Sequence, residues 1–308
     1  MAKIDEDVLV FLSSAYELKK ACKLMAKPCY ELHKGNLEGV NEFVDDSKPK
    51  VIFSTNVAES GVTLKLSCVV DIGLSYKSVF NAKEGIYELN MTTISQAEAE
   101  QRRGRAGRIS PGRCYHLYSR ESFENFAPFK SPEIMQEDLT EYILNLMDKD
   151  RLELLEHLPT PPSPAQLQYA FNLLENLKLS ENKNITELGR RVSATNLSVS
   201  EALTLFESDK LGVSDIVCRI LAMRSVESDI SKWIYEPLER NIKQFRHKSG
   251  ELFILEKMLT SYMKSKDKQN WAYKHFVSKK IEQASKQYYK LKFVVQQFRK
   301  TGIRESNS

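Results

Sequence analysis

The chain has 308 residues, of which 42% are hydrophobic and 28% are charged. These proportions exclude a disordered, collagen-like or low-complexity chain, and at roughly 100 to 200 residues per domain the length predicts about two or three domains. The net charge of +4, from 45 basic and 41 acidic residues, is too small to indicate a nucleic-acid partner by itself.

The cysteines are scattered and form no CxxC pair, so the sequence predicts neither a disulfide framework nor a zinc site, and it favours a reducing compartment. They are Cys22, Cys29, Cys68, Cys114 and Cys218. No apolar run approaches the roughly 18 to 20 residues of a membrane span, and the first residues are acidic where a signal peptide would be basic. We therefore expect an intracellular protein, cytoplasmic or nuclear, with no membrane contact.

Residues 1–125 alternate short apolar runs with amphipathic segments, a pattern typical of βαβ units around a parallel sheet. The apolar runs are DVLVFLS, CYELH, KVIFST, CVVDIGL and GRCYHLY. After Leu74 the pattern changes to two strand-like runs joined at residues 82–85, which predicts a β-hairpin that projects from the sheet.

The remainder of the chain is predicted to be helical. Prolines break residues 126–196 into short segments, and helical spacing of apolar residues follows in PEIMQEDLTEYILNLMD and SPAQLQYAFNLLENLKLS. Residues 197–308 have a helical pattern throughout and end in a frayed tail. We predict three domains, with boundaries after residues 125 and 196.

Polar residues follow the strand KVIF directly, beginning with Ser54, Thr55 and Asn56, and Gly61 lies a little further on. Ligands of open α/β sheets bind at the carboxyl ends of strands, and hydroxyls, an amide and a glycine backbone can donate hydrogen bonds to phosphate or ribose there. The alternative is a capped turn in which Asn56 caps a helix and Glu59 returns the bond. This string alone does not decide between the two.

A second polar string, QRRGRAGR, covers residues 101–108. On a helix Gln101, Arg105 and Arg108 would be spaced i, i+4 and i+7 and would share one face. Guanidinium groups suit the charge that spreads over a phosphoryl group during its transfer. A solvated basic helix is the alternative, but it is disfavoured because each glycine inside a helix costs about 1 kcal/mol. The string therefore predicts a phosphate site with these three residues as catalytic groups.

The two strings carry a resemblance. TNVAESGVTL and QRRGRAGR resemble motifs V and VI of superfamily 2 RNA helicases of the DEAH/DExH class, and DVLVFLSSAYEL resembles motif IV. TPPSPAQLQYAFNLLENLKLS with ITELGRRVS is similar to the winged-helix domain of this family, and GELFILEKMLTSYM with NWAYKHF is similar to its ratchet domain. The resemblance implies an α/β fold: a RecA-like parallel sheet with a projecting hairpin in 1–125, a winged-helix domain in 126–196 and a helical ratchet bundle in 197–308.

The resemblance also implies site residues. Gln101, Arg105 and Arg108 would contact the terminal phosphates of ATP, with the two arginines as arginine fingers. Phe43 would stack on adenine and Gly61 would lie near the nucleotide, although core packing is the simpler explanation of a single phenylalanine. The residues implied to contact RNA in this domain are Ser13, Ser14, His33, Ser54, Thr55 and Asn56. For His33, a structural hydrogen bond is an equally good explanation. The hairpin would separate the strands.

Two motifs of the family are missing from these residues. No G-x-x-x-x-G-K-[ST] loop and no Asp-Glu-x-His string occurs among the 308 residues, so nothing in them holds a triphosphate with Mg²⁺. The resemblance implies an ATP-dependent RNA helicase whose first RecA-like domain, in cis or in trans, binds ATP and supplies the Mg²⁺ ligands; this chain itself is predicted to have no metal site. A helicase-activating protein is a further candidate partner. The alternative function is a non-catalytic RNA-binding or regulatory module.

The segment 264–300 is strongly basic, with eleven Lys and Arg residues against two acids, and aromatic residues are interleaved. Lys279, Lys280 and Lys286 are predicted to bind RNA phosphates, with base stacking by the aromatics. In the alternative, the aromatic residues form the core face of a helix and the lysines form its solvated face.

Overall fold

The structure is a computed structural model that describes residues 7–25, 29–34, 50–60, 66–107 and 111–300. The chain divides into two compact units. The first comprises residues 1–139 with 155–169, and the second comprises 140–154 with 170–308. The three predicted domains, with boundaries after residues 125 and 196, stay a prediction.

The first unit is built on a parallel sheet of five strands. Its strands are β1 (Val8–Phe11), β2 (Cys29–Leu32), β3 (Val51–Ser54), β4 (Cys68–Asp71) and, after the hairpin strands β5 (Leu74–Asn81) and β6 (Ile86–Thr93), β7 (Arg113–His116). The spatial order is β2-β3-β1-β4-β7. The central strands are apolar on both faces, with Leu9, Ile52 and Val69 wholly buried, as expected of a sheet covered on both sides. The predicted parallel α/β fold is confirmed.

Three helices belong to this unit: α1 (Ala15–Leu24), α2 (Gln96–Arg103) and α3 (Arg120–Glu124). Ser95 begins α2 with a capping box, in which its hydroxyl accepts from Glu98 N and the Glu98 carboxylate accepts from Ser95 N. The next N–H groups of α2 donate to carbonyl oxygens of a later segment: Gln96 N to Ala127 O at 2.9 Å and Ala97 N to Pro128 O at 3.1 Å. The first turn of α2 is therefore fully satisfied by protein groups.

The hairpin strands pair antiparallel from Leu74 opposite Thr93 to Asn81 opposite Ile86. The four-residue turn at 82–85 ends on Gly85, whose φ of +67° is in the left-handed region. The hairpin is anchored within its unit, because Phe80 N donates to Gln136 O at 2.8 Å and the Phe80 ring packs 5.0 Å from that of Tyr169. The predicted hairpin is confirmed, and part of it is packed against protein.

The second unit is helical apart from a two-stranded ladder, β8 (Ser180–Glu181) and β9 (Asn184–Ile185). Its helices are α4 (Thr140–Asp148), the C-terminal part of α5 (Pro164–Asn176), α6 (Glu187–Ser193), α7 (Val199–Lys210), α8 (Ser214–Val226), α9 (Leu238–Ile242), α10 (Glu251–Lys264), α11 (Lys268–Lys274) and α12 (Ile281–Lys300). The helix α12 packs against α8, and Tyr288 and Leu291 on its inner face are buried. None of the described helices is long and apolar enough to cross a membrane.

One expectation about the cysteines is wrong. Cys22, near the end of α1, and Cys29, at the start of β2, form a disulfide with a Cα–Cα distance of 5.7 Å. No local pattern indicates this pair, because seven positions separate the two residues and the contact of α1 with β2 brings them together. Cys68, Cys114 and Cys218 are not part of a disulfide.

Candidate functional site

The carboxyl ends of the parallel strands place the predicted polar residues along one edge of the sheet. Ser54 at the end of β3 is in register with Leu32 of β2 and with Phe11 of β1, and Phe11 is in register with Asp71 of β4. The residues that follow these strands, among them Ser13, His33 and Thr55, therefore come to the same edge.

Most hydroxyls at this edge are engaged within the protein. Ser13 is buried and its Oγ donates to Glu17 Oε2 at 2.6 Å, whereas Ser14 caps α1 by accepting from Glu17 N at 3.3 Å. Ser54 is wholly buried, and its Oγ donates to Leu32 O at 3.2 Å. His33 and Thr55 are half-buried, and Asn56 is exposed. Of this set, Asn56 presents the most accessible polar side chain, and the RNA roles of all six residues stay predictions.

The segment after β3 forms a 3₁₀ turn, Asn56–Glu59. Thr55 occupies the cap position and makes no side-chain capping bond. The carboxylate of Glu59 points elsewhere: its Oε1 lies 2.7 Å from both Nε and Nη2 of Arg102. The capped-turn interpretation, in which Asn56 caps and Glu59 returns the bond, is therefore wrong.

The helix α2 ends earlier than the sequence predicts. Its last residue is Arg103, with Gly104 as the C-cap and a turn over 104–107, so Arg105 lies outside the helix. Gln101 is exposed, whereas Arg105 is only 7% exposed. The prediction that these two residues share a helical face is wrong, because the glycine ends the helix between them. Their contact with phosphate stays a prediction.

Arg102 lies at the centre of the site, although the sequence motifs gave it no role. Its side chain is wholly buried, and besides Glu59 it contacts Asp71, with Nη1 2.7 Å from Asp71 Oδ1. The guanidinium carbon lies 4.7 Å from the centre of the Phe11 ring. Arg102 thus joins the turn after β3 to the end of β4 from a position on α2. The only sign of this burial in the sequence is that Arg102 lies three positions after Ala99, which is also buried. Hydrophobic periodicity does not otherwise mark a buried charged residue.

The second carboxylate, Asp71, is satisfied on both oxygens. Oδ1 accepts from Gly73 N at 2.9 Å as well as from Arg102, and Oδ2 accepts from the hydroxyl of Tyr118 at 3.0 Å. The hydroxyl of Tyr118 also contacts Nδ1 of His116 at the end of β7. We call Arg102, Glu59, Asp71 and Tyr118 the Arg102 cluster.

Burial shifts the pKa of two members of this cluster, Glu59 and Tyr118. Burial raises the pKa of the Glu59 carboxyl, and the charge and hydrogen bonds of Arg102 oppose part of that rise. Burial and the neighbouring Asp71 carboxylate raise the pKa of Tyr118, which therefore stays protonated and acts as a donor. The cluster carries two carboxylates for one guanidinium, so neutral donors such as the Tyr118 hydroxyl complete it.

Arg105 is held against the same turn. Its Nη2 donates to the backbone carbonyl of Glu59, and its own N–H donates to Arg102 O at 3.1 Å. The two polar strings of the sequence, 54–63 and 101–108, are thus joined by the side chain and the main chain of Glu59. Among the described residues no three His, Cys, Asp or Glu side chains converge closely enough to hold a metal ion.

Comparison with known proteins identifies the family. Residues 1–110 match the model described as "Helicase conserved C-terminal domain". The chain is 30% identical to the pre-mRNA-splicing factor ATP-dependent RNA helicase prp22 of Schizosaccharomyces pombe, over 92% of this chain and 27% of that protein. The chain belongs to the DEAH/DExH helicases of superfamily 2. The resemblance drawn from motifs V and VI is confirmed.

A second relative and a solved structure also match most of this chain. The chain is 29% identical to a probable ATP-dependent RNA helicase, the DHX35 homolog of Caenorhabditis elegans, over 88% of this chain and 40% of that protein. The crystal structure of the E. coli DExH-box NTPase HrpB superposes with a TM-score of 0.68 at 21% identity, over 93% of this chain and 33% of that chain, and shows the shared fold. The chain spans less than half the length of each of these proteins and corresponds to the C-terminal region of the helicase.

Three predicted residues of the helicase site lie outside the described residues: Phe43, Gly61 and Arg108. Their roles at the nucleotide stay predictions. The hairpin lies in the described part, and one of its faces exposes apolar side chains: Tyr76 is 38%, Leu89 67% and Met91 54% exposed. Tyr76 stands opposite Met91, and Ser78 opposite Leu89, so these side chains form one patch.

The basic segment 264–300 has aromatic residues both in the core and on the surface. Trp271 and Tyr288 are 3% exposed, so for them the core interpretation is right. Four others are exposed, namely Tyr273, Phe276, Tyr289 and Phe293, and Phe298 is half-buried. Lys279 and Lys286 are exposed, and Lys280 forms an ion pair with Glu227 at 3.3 Å. Contact of the three lysines with RNA stays a prediction.

Proposed function

We propose that this chain supplies the second RecA-like half and the following helical region of an ATP-dependent RNA helicase. A first RecA-like domain, in cis or in trans, would bind ATP and hold Mg²⁺. This chain would contribute Arg105 and Arg108 to the phosphates, together with Gln101, and would bind RNA along the carboxyl edge of its sheet and on its basic segment.

The main support for the proposal is that two arginines at the end of α2 and just after it bind Glu59. Its carboxylate is bound by Arg102 and its carbonyl by Arg105, so the turn after β3 and the end of α2 form one packed arrangement. In the proposed enzyme the first of these elements faces RNA and the second faces the nucleotide. A change in position at either element must then be felt at the other, which is what coupling of hydrolysis to RNA requires.

The exposure of Arg105 bears on its proposed role. Because its guanidinium is bound to the Glu59 carbonyl and is 7% exposed, Arg105 would contact a phosphate only by exchanging one acceptor for another. A phosphate oxygen carries negative charge and is the stronger acceptor. The contribution of Arg105 to catalysis would therefore arise mainly when the protein is closed over ATP, in the transition state of phosphoryl transfer.

The relatives supply the remaining parts of the proposal. Two of them bear the name ATP-dependent RNA helicase, which supports ATP with Mg²⁺ as the cofactor and RNA as the partner. One is named a pre-mRNA-splicing factor, which supports a nuclear or cytoplasmic location. A helicase-activating protein is a further proposed partner.

The test is made in a protein that contains this chain together with a first RecA-like domain. Arg105→Ala should lower kcat for ATP hydrolysis by about 10² or more, since it removes a charge needed in the transition state, while KM for ATP changes far less. Arg103→Ala is the matched control, because Arg103 is 61% exposed and pairs only with Glu100 among the described residues. Equal, unimpaired hydrolysis by both variants would show that Arg105 is not a catalytic group. If the unchanged protein does not hydrolyse ATP, the non-catalytic RNA-binding module is favoured instead.

A further inference from the structure

The second unit contains a cavity of about 330 Å³ near the C-terminal end of α12. Its walls are mainly apolar, formed by Phe206 of α7 and by Phe293, Val294 and Phe298 of α12. One cationic side chain, Arg191 of α6, joins them. Phe293 is 59% exposed at this cavity, so a large apolar surface faces solvent there.

The aromatic wall is built around Arg191. The rings of Phe206 and Phe298 stack with centres 3.4 Å apart, and the Arg191 guanidinium lies 3.7 Å from the centre of the Phe298 ring. Nη2 of Arg191 donates to Phe298 O at 2.5 Å. The Phe298 ring and the guanidinium are therefore held against each other beside the open space.

The charge of Arg191 is not neutralised by an ion pair. No salt bridge joins it to a carboxylate anywhere in the described ranges, and its buried Nε has no hydrogen-bond partner there. Burial lowers the pKa of Arg191, with Glu187 on the same helix acting in the opposite direction. A desolvated cation in an apolar cavity gains from an anion, and an unmatched N–H gains from an acceptor.

These features select a class of ligand. Apolar walls favour a flat hydrocarbon or aromatic body, the guanidinium fork favours a carboxylate, and the volume is sufficient for a fused two-ring group. Polyphosphates are disfavoured because the apolar walls cannot replace their hydration. We propose that this cavity is a binding site for a planar aromatic carboxylate, with its ring against Phe293 and Val294 and its carboxylate on Arg191.

The proposal is tested by calorimetric titration of the 308-residue chain with 2-naphthoate and with 2-naphthamide. The two probes share a shape and differ in charge, so we expect 2-naphthoate to bind with a Kd at least tenfold lower. Arg191→Met should remove this preference, and Arg191→Lys should restore part of it. If the two probes bind alike, or neither binds, the proposal is wrong.

Two more variants locate the binding. Arg190→Met is the control for charge, since Arg190 is the adjacent arginine, is 55% exposed and lies 3.7 Å from Asp148; it should leave the preference for 2-naphthoate unchanged. Ala194 is an exposed residue of the lining, and Ala194→Trp should fill the space and abolish binding of both probes. Undiminished binding to Ala194→Trp would place the probe elsewhere and would overturn the assignment.

Discussion

Nη1 of Arg102 lies 2.7 Å from Oδ1 of Asp71, and both side chains are wholly buried. Removal of the guanidinium would leave the buried carboxylate of Asp71 without a cationic partner, with Glu59 close by. We expect Arg102→Met to lower the free energy of unfolding of the first unit by about 3 to 5 kcal/mol. Urea unfolding checks this, with the exposed Arg103→Met as the control. Equal stability of the two variants would contradict the central position of Arg102.

Arg108 is predicted to act with Arg105 on the nucleotide. In a protein that includes the first RecA-like domain, Arg108→Ala should lower kcat by about 10² or more and change ATP binding far less, because ATP is held mainly by the other domain. Steady-state kinetics with RNA present measures both quantities. A variant with normal kcat would remove Arg108 from the catalytic groups.

The hairpin is predicted to act on RNA strands and not on ATP. Deletion of its tip, Asn81–Gly85, should spare hydrolysis and impair unwinding, but Gly85 packs closely on Tyr169, so a deletion would also disturb packing. Leu89→Ser with Met91→Ser is the sharper test because both side chains are exposed on one face. We expect normal hydrolysis with reduced strand separation, measured on a duplex with a single-stranded end.

ATP hydrolysis and strand separation are measured on the same hairpin variants. A parallel loss of hydrolysis and unwinding would show that the patch acts on folding or on the nucleotide, contrary to the prediction. Arg120→Ser, on α3 outside the hairpin, is the control; its side chain is 92% exposed and the change should leave both rates as they are in the unchanged protein.

Charge reversal tests the basic segment. Lys279→Glu with Lys286→Glu should weaken RNA binding and reduce the slope of log affinity against log salt by about 0.7 for each single-strand phosphate that the protein no longer neutralises. Both lysines are exposed, so folding should be unaffected. Lys210→Glu on α7 is the control and introduces half of this change in charge at another exposed position. An unchanged salt slope in the double variant would show that these lysines are only solvated.

The acid stability of the second unit should depend on Asp215. Its carboxylate accepts from the Tyr288 hydroxyl at 2.7 Å and pairs with Arg219 and with Lys292, and these contacts lower its pKa from 3.8 to about 2. Because the pKa of Asp215 is lower in the folded than in the unfolded chain, these contacts stabilise the fold at pH values above 3.8. This stabilisation is lost as the pH falls from 3.8 through about 2. Because Asp215 is half exposed, solvent screening reduces the size of the effect.

Asp215→Asn should therefore be less stable than the unchanged protein at neutral pH and equal to it at the acid end of that window. Thermal unfolding as a function of pH measures the difference, with Glu175→Gln, an exposed position of α5, as the control. A difference between Asp215→Asn and the unchanged protein that does not shrink as pH falls would contradict this assignment.

Short-range patterns in the sequence predicted the sheet, the hairpin and the two polar strings, because strand and turn signals depend on neighbouring residues. The Arg102 cluster was missed because its partners Glu59 and Asp71 lie 43 and 31 positions away, and nothing local marks a charge as buried. The end of α2 was also missed, since Gly104 can lie in a helix or close one. The aromatic residues of 264–300 divide by helical face, and only the packing of α12 on α8 shows which face is inside.

The first turn of α2 and the hairpin are attached to the same short stretch of chain. Ala127 and Pro128 accept from the N–H groups of α2, and Gln136 accepts from Phe80. Pro128 and Pro132 restrict the backbone between these points, which limits how far it can stretch or fold. A displacement of α2 along its axis would therefore be transmitted to the hairpin through the stretch 127–136. The hairpin thus has a second connection to α2, in addition to the short chain segment that joins β6 to this helix.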